Sequence, residues 1–150
     1  MSTGFNFITL PLTTKRGGQV VVPQRSGLNW GQRPGRQANQ AYLSVPVEIQ
    51  RSGFFPDRGD VFVIECDDGF TMKCVRSQDN GKAIESPADN SIIGIYFRRR
   101  LGVRSGHMVT IDHLHAYGRT SVDIHFRKKN LYYLDFSTLS GQWSQRNMMI

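Results

Sequence analysis

The hydrophobic pattern along this chain changes period several times, and each change marks an element. Phe5 to Leu10 alternates apolar and polar residues imperfectly and predicts a strand. Gln19 to Val22 predicts a second strand after a Gly17-Gly18 turn. Tyr42 to Val47 predicts a third, which Pro46 confines to an edge or a bulge because proline cannot donate to a ladder. Val61 to Cys66 and Phe70 to Val75 flank Asp67-Asp68-Gly69 and predict a tight hairpin. Two long polar stretches interrupt the pattern, Ser26 to Gln40 and Ser77 to Asn90.

The period then lengthens. Ile92, Ile93, Tyr96, Phe97 and Leu101 form one apolar stripe at helical spacing, predicting a helix over Asn90 to Arg100. Asn90 or Ser91 can cap it and Gly102 ends it. Arg98, Arg99 and Arg100 stand at its C-terminal end, where the macrodipole favours cations. Thr110 to Tyr117 predicts a shorter helix ending at Gly118. Ser121 to Phe126 and Leu131 to Phe136 predict two closing strands, and nothing after Thr138 gives a clear signal. Many short strands with two short helices predict a mainly β, barrel-like α+β domain. A chain of 150 residues is expected to form one domain over 1–150. It can bury about 68–70% of its unfolded surface, enough for a core without staples.

Composition adds a partner class. The net charge is +7 and the isoelectric point about 9.9, which favours a polyanion. Arginine outnumbers lysine, and its planar fork suits bases and phosphates. The charge is segregated: residues 1–47 carry five cations and no acid, residues 52–89 are net acidic, and residues 90–150 are basic again. Cys66 and Cys74 flank a turn too short to set them opposite each other, so free thiols in a reducing compartment are expected. Met1 to Phe7 lacks a secretory pattern, and no apolar run approaches the roughly 18 residues of a membrane span. A soluble, intracellular protein with no membrane partner is therefore expected.

The candidate chemistry lies in the polar stretches. Arg25, Asn29, Trp30, Gln32, Arg33, Arg36, Gln37, Asn39 and Gln40 are interleaved with Gly27, Gly31, Pro34 and Gly35. Arginine reads guanine bidentately, and asparagine and glutamine read adenine. The glycines and proline favour a shaped loop over a long regular element. Any surface loop is hydrophilic, but an ordinary one does not exclude carboxylates, and no acid precedes Glu48. The second stretch, with the strand end before it, offers Arg76, Gln78, Asp79, Asn80, Lys82 and Glu85. A carboxylate there can accept from cytosine N4 or can bond its own backbone. Trp30 and Tyr42 can pack on DNA or anchor the loop to the core.

The segments SGLNWGQRPGRQANQAY (26–42), FFPDRGDVF (54–62), CVRSQDNGKAIESPADNS (74–91), GIYFRRRLG (94–102) and YGRTSVDIHF (117–126) occur in this order. Together they resemble the DNA-recognition domain of phospholipase-D-type type II restriction endonucleases, a domain with the pseudobarrel fold of the plant "B-three" transcription factors. The resemblance covers about residues 6–136. It implies an open seven-stranded pseudobarrel with two short helices, whose two arms grip duplex DNA from the major groove. It makes Arg25 to Tyr42 the N-terminal arm and Arg76 to Glu85 the C-terminal arm. The implied role is target recognition in a restriction–modification system. The implied partners are a short, specific, G·C-containing duplex site and a nuclease catalytic domain in cis or in trans. The implied location is the cytoplasm of a prokaryote, close to the nucleoid.

Phosphate contacts are expected from Lys15, Arg16, Arg127, Lys128 and Lys129, with Arg98 to Arg100 as further candidates. Catalysis by the chain itself is not expected. The sequence contains no Asp-x-Lys, Glu-x-Lys or His-x-Lys, and the family's His-x-Lys nucleophile is missing with its catalytic half. No cofactor or metal is implied, because His113 and His115 on a helix point about 200° apart and His107 and His125 lie at no ligand spacing. Gly94-Ile95-Tyr96 matches one nuclease triplet but lacks its partner triplet. Two other functions fit the same residues: a stand-alone regulator or effector-site binder with this fold, and an RNA- or single-strand-binding barrel. The last requires exposed aromatics at alternate strand positions for base stacking.

Overall fold

The structure is a computed structural model that describes residues 6–138. The expected strand start at Phe5 and the tail after Thr138 lie outside these residues. Seven strands form one nearly closed sheet: β1 (Phe7–Pro11), β4 (Leu43–Ser44), β5 (Phe62–Cys66), β6 (Thr71–Ser77), β7 (Ala83–Glu85), β8 (Ser121–Lys128) and β9 (Leu131–Asp135). Their spatial order is β1-β8-β9-β5-β6-β7-β4, and the end strands β1 and β4 approach each other. Only β5 and β9 run parallel; every other pair in this sheet is antiparallel. A separate hairpin pairs β2 (Thr14–Arg16) with β3 (Gln19–Val21). The fold is mainly β and pseudobarrel-like, as expected.

Alternation along the strands builds the core. Ile8, Ile124 and Leu134 align across three strands, as do Tyr132, Ile64 and Met72, and all six are buried. Tyr132 gathers Phe54, Phe55 and Phe62 at ring distances of 5.3–5.4 Å. Helix α2 (Ile92–Leu101) buries Ile93, Tyr96 and Phe97, and Phe97 meets Phe136 edge-on. Helix α3 (Ile111–Tyr117) starts at Thr110, whose N–H donates to His113 Nδ1 at 2.9 Å. That bond assigns His113 to a helix end. Both cysteines are free and buried.

Five local expectations are corrected. The strand predicted over Tyr42 to Val47 shrinks to Leu43–Ser44, because Pro46 (φ −59°) starts a six-residue helix, α1 (Val47–Ser52). That helix buries none of its residues, so it leaves no apolar stripe in the sequence, and the domain has three α-helices instead of two. The polar stretch after Ser77 contains β7, whose Ala83 and Ile84 are buried, so the second loop shortens to Gln78–Lys82. The predicted single strand at Gln19 to Val22 is one half of a hairpin whose other half, β2, is wholly exposed and carries no alternation. Neither Asn90 nor the Ser91 hydroxyl caps α2 by a side-chain bond; Asp89 instead accepts from Ser91 N–H and Oγ.

Candidate nucleic-acid interface

The first polar stretch is a packed loop on a fixed base. A 3₁₀ helix over Gly27–Gln32 buries Leu28, Asn29, Trp30 and Gly31. Turns follow in series: Arg33 N–H donates to Trp30 O, Arg36 N–H to Arg33 O and Gln40 N–H to Gln37 O. Gly31 N–H then closes the loop onto Gln40 O at 2.8 Å. Gly31 is required here, since a β-carbon would stand 2.3 Å from Gln37 O.

Three amides tie this loop to the segment after α2. Asn29 Nδ2 donates to Pro23 O and Val109 O, both at 2.8 Å, while its Oδ1 accepts from Val109 N–H and from Arg98. Asn39 donates to Ser105 Oγ and accepts from Gly106 N–H at 2.7 Å. Gln32 donates to Ala38 O and Gly106 O. Asn29 and Asn39 are buried with their polar atoms engaged. Their place is the base of the loop, not its exposed tip.

The tip is different. Arg33, Pro34, Gly35, Arg36 and Gln37 are all exposed. Arg33 Nε donates to Arg25 O at 2.8 Å. Arg36 lies 3.7 Å over the Trp30 ring and donates from Nη1 to Gln40 Oε1. Trp30 is buried with its edge against Tyr42, so it anchors the loop. Gln37 Oε1 accepts from Asn39 N–H at 2.8 Å.

The second loop is shorter and more strained. Gln78 (φ 64°) and Asn80 (φ 59°) both adopt positive φ around a 3₁₀ turn at Asp79–Gly81. Glu85 accepts from Ser77 Oγ and from Gln78 Nε2, which closes the neck of the loop. Arg76 turns inward and donates to Pro56 O and Gln50 O, so it braces α1. Asp79, Asn80 and Lys82 remain exposed.

The two loops share a root. The first leads into β4 and the second into β7, and these strands pair as Leu43 with Ile84 and Ser44 with Ala83. Val45 N–H extends the ladder to Lys82 O. The loops therefore leave opposite ends of a two-residue ladder. Beside it lies a groove lined by Tyr42, Ser44, Pro46, Gln50 and Lys82. A second depression of about 310 Å³ continues past Tyr42 and Ser44 to Gly27 and Arg16.

Residues 2–129 match the family model of the NgoFVII C-terminal B3-like DNA-binding domain, a restriction-enzyme DNA-recognition domain. The chain belongs to this family. No curated protein matches it. DNA binding is thus the property of this B3-like domain, and its restriction-enzyme lineage agrees with the resemblance read from the sequence.

Within the B3-like domain, the remaining candidates separate by environment. Lys15 and Arg16 are exposed on β2, and Arg16 borders the depression beside the start of the first loop. Arg127, Lys128 and Lys129 are exposed at the β8–β9 turn, with Arg127 4.6 Å over Tyr133. Arg25 is exposed and Gln40 partly so. The three arginines ending α2 do not act as a unit. Arg98 is buried and donates to His107 O, Gly94 O and Asn29 Oδ1. Arg100 forks onto Asp67 at 2.9–3.0 Å and reaches Tyr96 OH, Tyr117 OH and Phe136 O. Only Arg99 is exposed. Among the described residues, no group of three His, Cys, Asp or Glu side chains could hold a metal ion. No helix among them is long and apolar enough to cross a membrane.

Two features escaped the sequence reading. The loop at Ser105–Val109, which supports the first loop, has no distinctive composition and shows itself only through its hydrogen bonds. Gly94 was legible as an oddity: glycine inside a helix costs about 1 kcal/mol relative to alanine, so it signals a packing demand. That demand is the carbonyl of Asn39, against which Gly94 packs.

Proposed function

We propose that this domain binds one short duplex sequence from the major groove, with the loops at Arg25–Tyr42 and Arg76–Glu85 as its two reading arms. The observation that carries the reading is the tip of the first loop. It exposes Arg33, Arg36 and Gln37 on a base fixed by three amides, with no carboxylate in the first 47 residues. Base discrimination needs donors held in place, because a loose side chain bonds any acceptor it meets. The exposed Asp79, Asn80 and Lys82 of the second loop supply the matching contacts across the groove lined by Tyr42, Ser44 and Lys82. Arg76 and Glu85 hold that loop's shape, while Asn29, Asn39 and Trp30 hold the first. Lys15, Arg16, Arg127, Lys128 and Lys129 position the duplex through phosphates. The site contains G·C pairs, in keeping with the arginines of the first arm. The interface buries on the order of 1,000 Å² of protein surface.

The domain serves a restriction endonuclease whose catalytic domain lies elsewhere in the same chain or in a partner chain, and it does not cut DNA itself. The test is selection of bound sequences from a random duplex pool, followed by titration of the enriched and scrambled duplexes at one salt concentration. The expected result is a single short motif bound about a thousandfold more tightly than scrambled DNA. Equal binding to both duplexes would refute base reading. Mg²⁺-dependent nicking that a point substitution in this chain abolishes would refute the division from catalysis.

A further inference from the structure

The two arginines at the tip of the first arm each spend one N–H on the arm itself. Arg33 uses Nε, which donates to Arg25 O at 2.8 Å. Its two terminal nitrogens stay together as the end-on donor pair. Arg36 uses Nη1, which donates to Gln40 Oε1 at 2.9 Å. Its Nε and Nη2 remain as the side-on pair. Among the described residues neither guanidinium meets a carboxylate, in contrast to Arg100 and Arg119. Each side chain is thus held by the protein yet keeps a complete two-donor edge, the edge that guanine O6 and N7 require.

Arg36 is held from two directions. The indole of Trp30 lies 3.7 Å beneath its guanidinium, and Gln40 bonds it in the plane. Trp30 is buried and braced edge-on by Tyr42 at 5.3 Å, so the platform itself is fixed. Gln40 is fixed through its backbone, which bonds both Gln37 O and Gly31 N–H. An arginine on a flexible stem loses rotamer entropy when it binds. Here the fold has already restricted it.

We infer that Arg36 reads one guanine through its Nε–Nη2 edge, and that Trp30 and Gln40 are positioning residues that aim it without touching DNA. This rests on the base-reading role proposed above for the first arm. It divides residues that the sequence presents as equivalent into one reader and two supports.

The test uses the full 150-residue chain and the duplex motif enriched from the random pool. Each base pair of the motif is replaced in turn, and each guanine is replaced by 7-deazaguanine, which lacks the N7 acceptor. Arg36→Ala is expected to lose about ten- to a hundredfold of the preference for guanine at one position. At that position 7-deazaguanine should weaken the wild-type protein and leave Arg36→Ala unaffected. Gln40→Ala and Trp30→Leu should erode preference at the same position and at no other, and neither should add much to Arg36→Ala. Trp30→Phe retains a ring face and should retain most of the preference. Affinity for scrambled duplex should be unchanged throughout. If Trp30→Leu lowers the thermal midpoint so far that it does not fold, Gln40→Ala and Trp30→Phe decide the matter. Loss at a different base pair, or equal loss on motif and scrambled duplex, overturns the assignment. A motif whose preferences all survive Arg36→Ala overturns it while leaving the base-reading role standing. Enrichment of no motif overturns both.

Discussion

A β-carbon built on Gly94 would stand 1.7 Å from the carbonyl oxygen of Asn39. Helix α2 and the first loop therefore touch backbone to backbone. Gly94→Ala should improve helix propensity by about 1 kcal/mol and still destabilise the protein, because the carbonyl cannot yield without moving the arm. The expected net loss is about 1–3 kcal/mol by urea unfolding, together with weaker binding to a preferred duplex. A variant as stable as the parent would show that the arm shifts freely.

Asn29 joins Pro23, Val109 and Arg98 from a fully buried position. Asn29→Ala strands a buried Val109 N–H and two carbonyls. The stability loss should be about 1–3 kcal/mol per group left without a partner, less whatever water restores. If Asn29 only braces the arm, the folded variant keeps the base preferences of the parent. Relaxed preference at a single base pair, with stability intact, would instead make Asn29 a reader.

Arg100 and Asp67 form a largely enclosed ion pair that joins α2 to the β5–β6 turn. Phe136 N–H also donates to Asp67, which draws the end of β9 into the same knot. Removing one partner leaves the other charge enclosed without compensation. Arg100→Ala should cost about 3–5 kcal/mol in chemical unfolding. Per folded molecule, its affinity for scrambled duplex should not change, because Arg100 faces inward.

Burial raises the Cys66 thiol from its ordinary 9.0 to about 11, and burial raises Cys74 further. Below pH 9 both thiols are neutral in the folded and unfolded chain and contribute no pH dependence. Above it the unfolded chain ionises first, so stability should fall as pH rises towards 11, by up to about 1.4 kcal/mol per thiol per pH unit. Burial raises Tyr96 and Tyr132 as well, which steepens the same decline at its upper end. Serine at both cysteine positions should flatten the profile between pH 9 and 10. At pH 8 a disulfide reagent should label the native protein far more slowly than the unfolded one.

Lys15, Arg16, Arg127, Lys128 and Lys129 are exposed cations outside the two arms. Where one of them contacts a phosphate, its replacement by alanine should weaken preferred and scrambled duplexes equally. The slope of log affinity against log salt should then fall by roughly one unit. An unchanged slope for all five would place the duplex elsewhere on the surface.

Much of the fold was legible in the sequence, and the pattern of misses has one cause. The hairpin around Asp67-Asp68-Gly69, the closing strands and helices α2 and α3 announce themselves because their apolar residues recur at the period of the element. Helix α1, the Pro46 at its start and strand β2 lie on the surface, where no buried face imposes a period. At the candidate site, composition marked both loops but could not sort their members. Trp30 offered either a DNA contact or a loop anchor and Arg36 a separate contact, although the two form one stacked unit.

By itself, the sequence determined a mainly β domain with two polar loops, the first rich in arginine, and a basic composition suited to DNA. Those features follow from interactions within a few residues: strand alternation, turn chemistry and charge count. Tertiary structure alone decided which polar side chains face inward. Asn29 meets Val109 across 80 positions, Asn39 meets Gly106 across 67 and Arg76 meets Gln50 across 26. An asparagine or arginine has the same local signature whether its hydrogen bonds go to water or to a distant backbone, so only the assembled fold separates the supports of the two loops from their exposed tips.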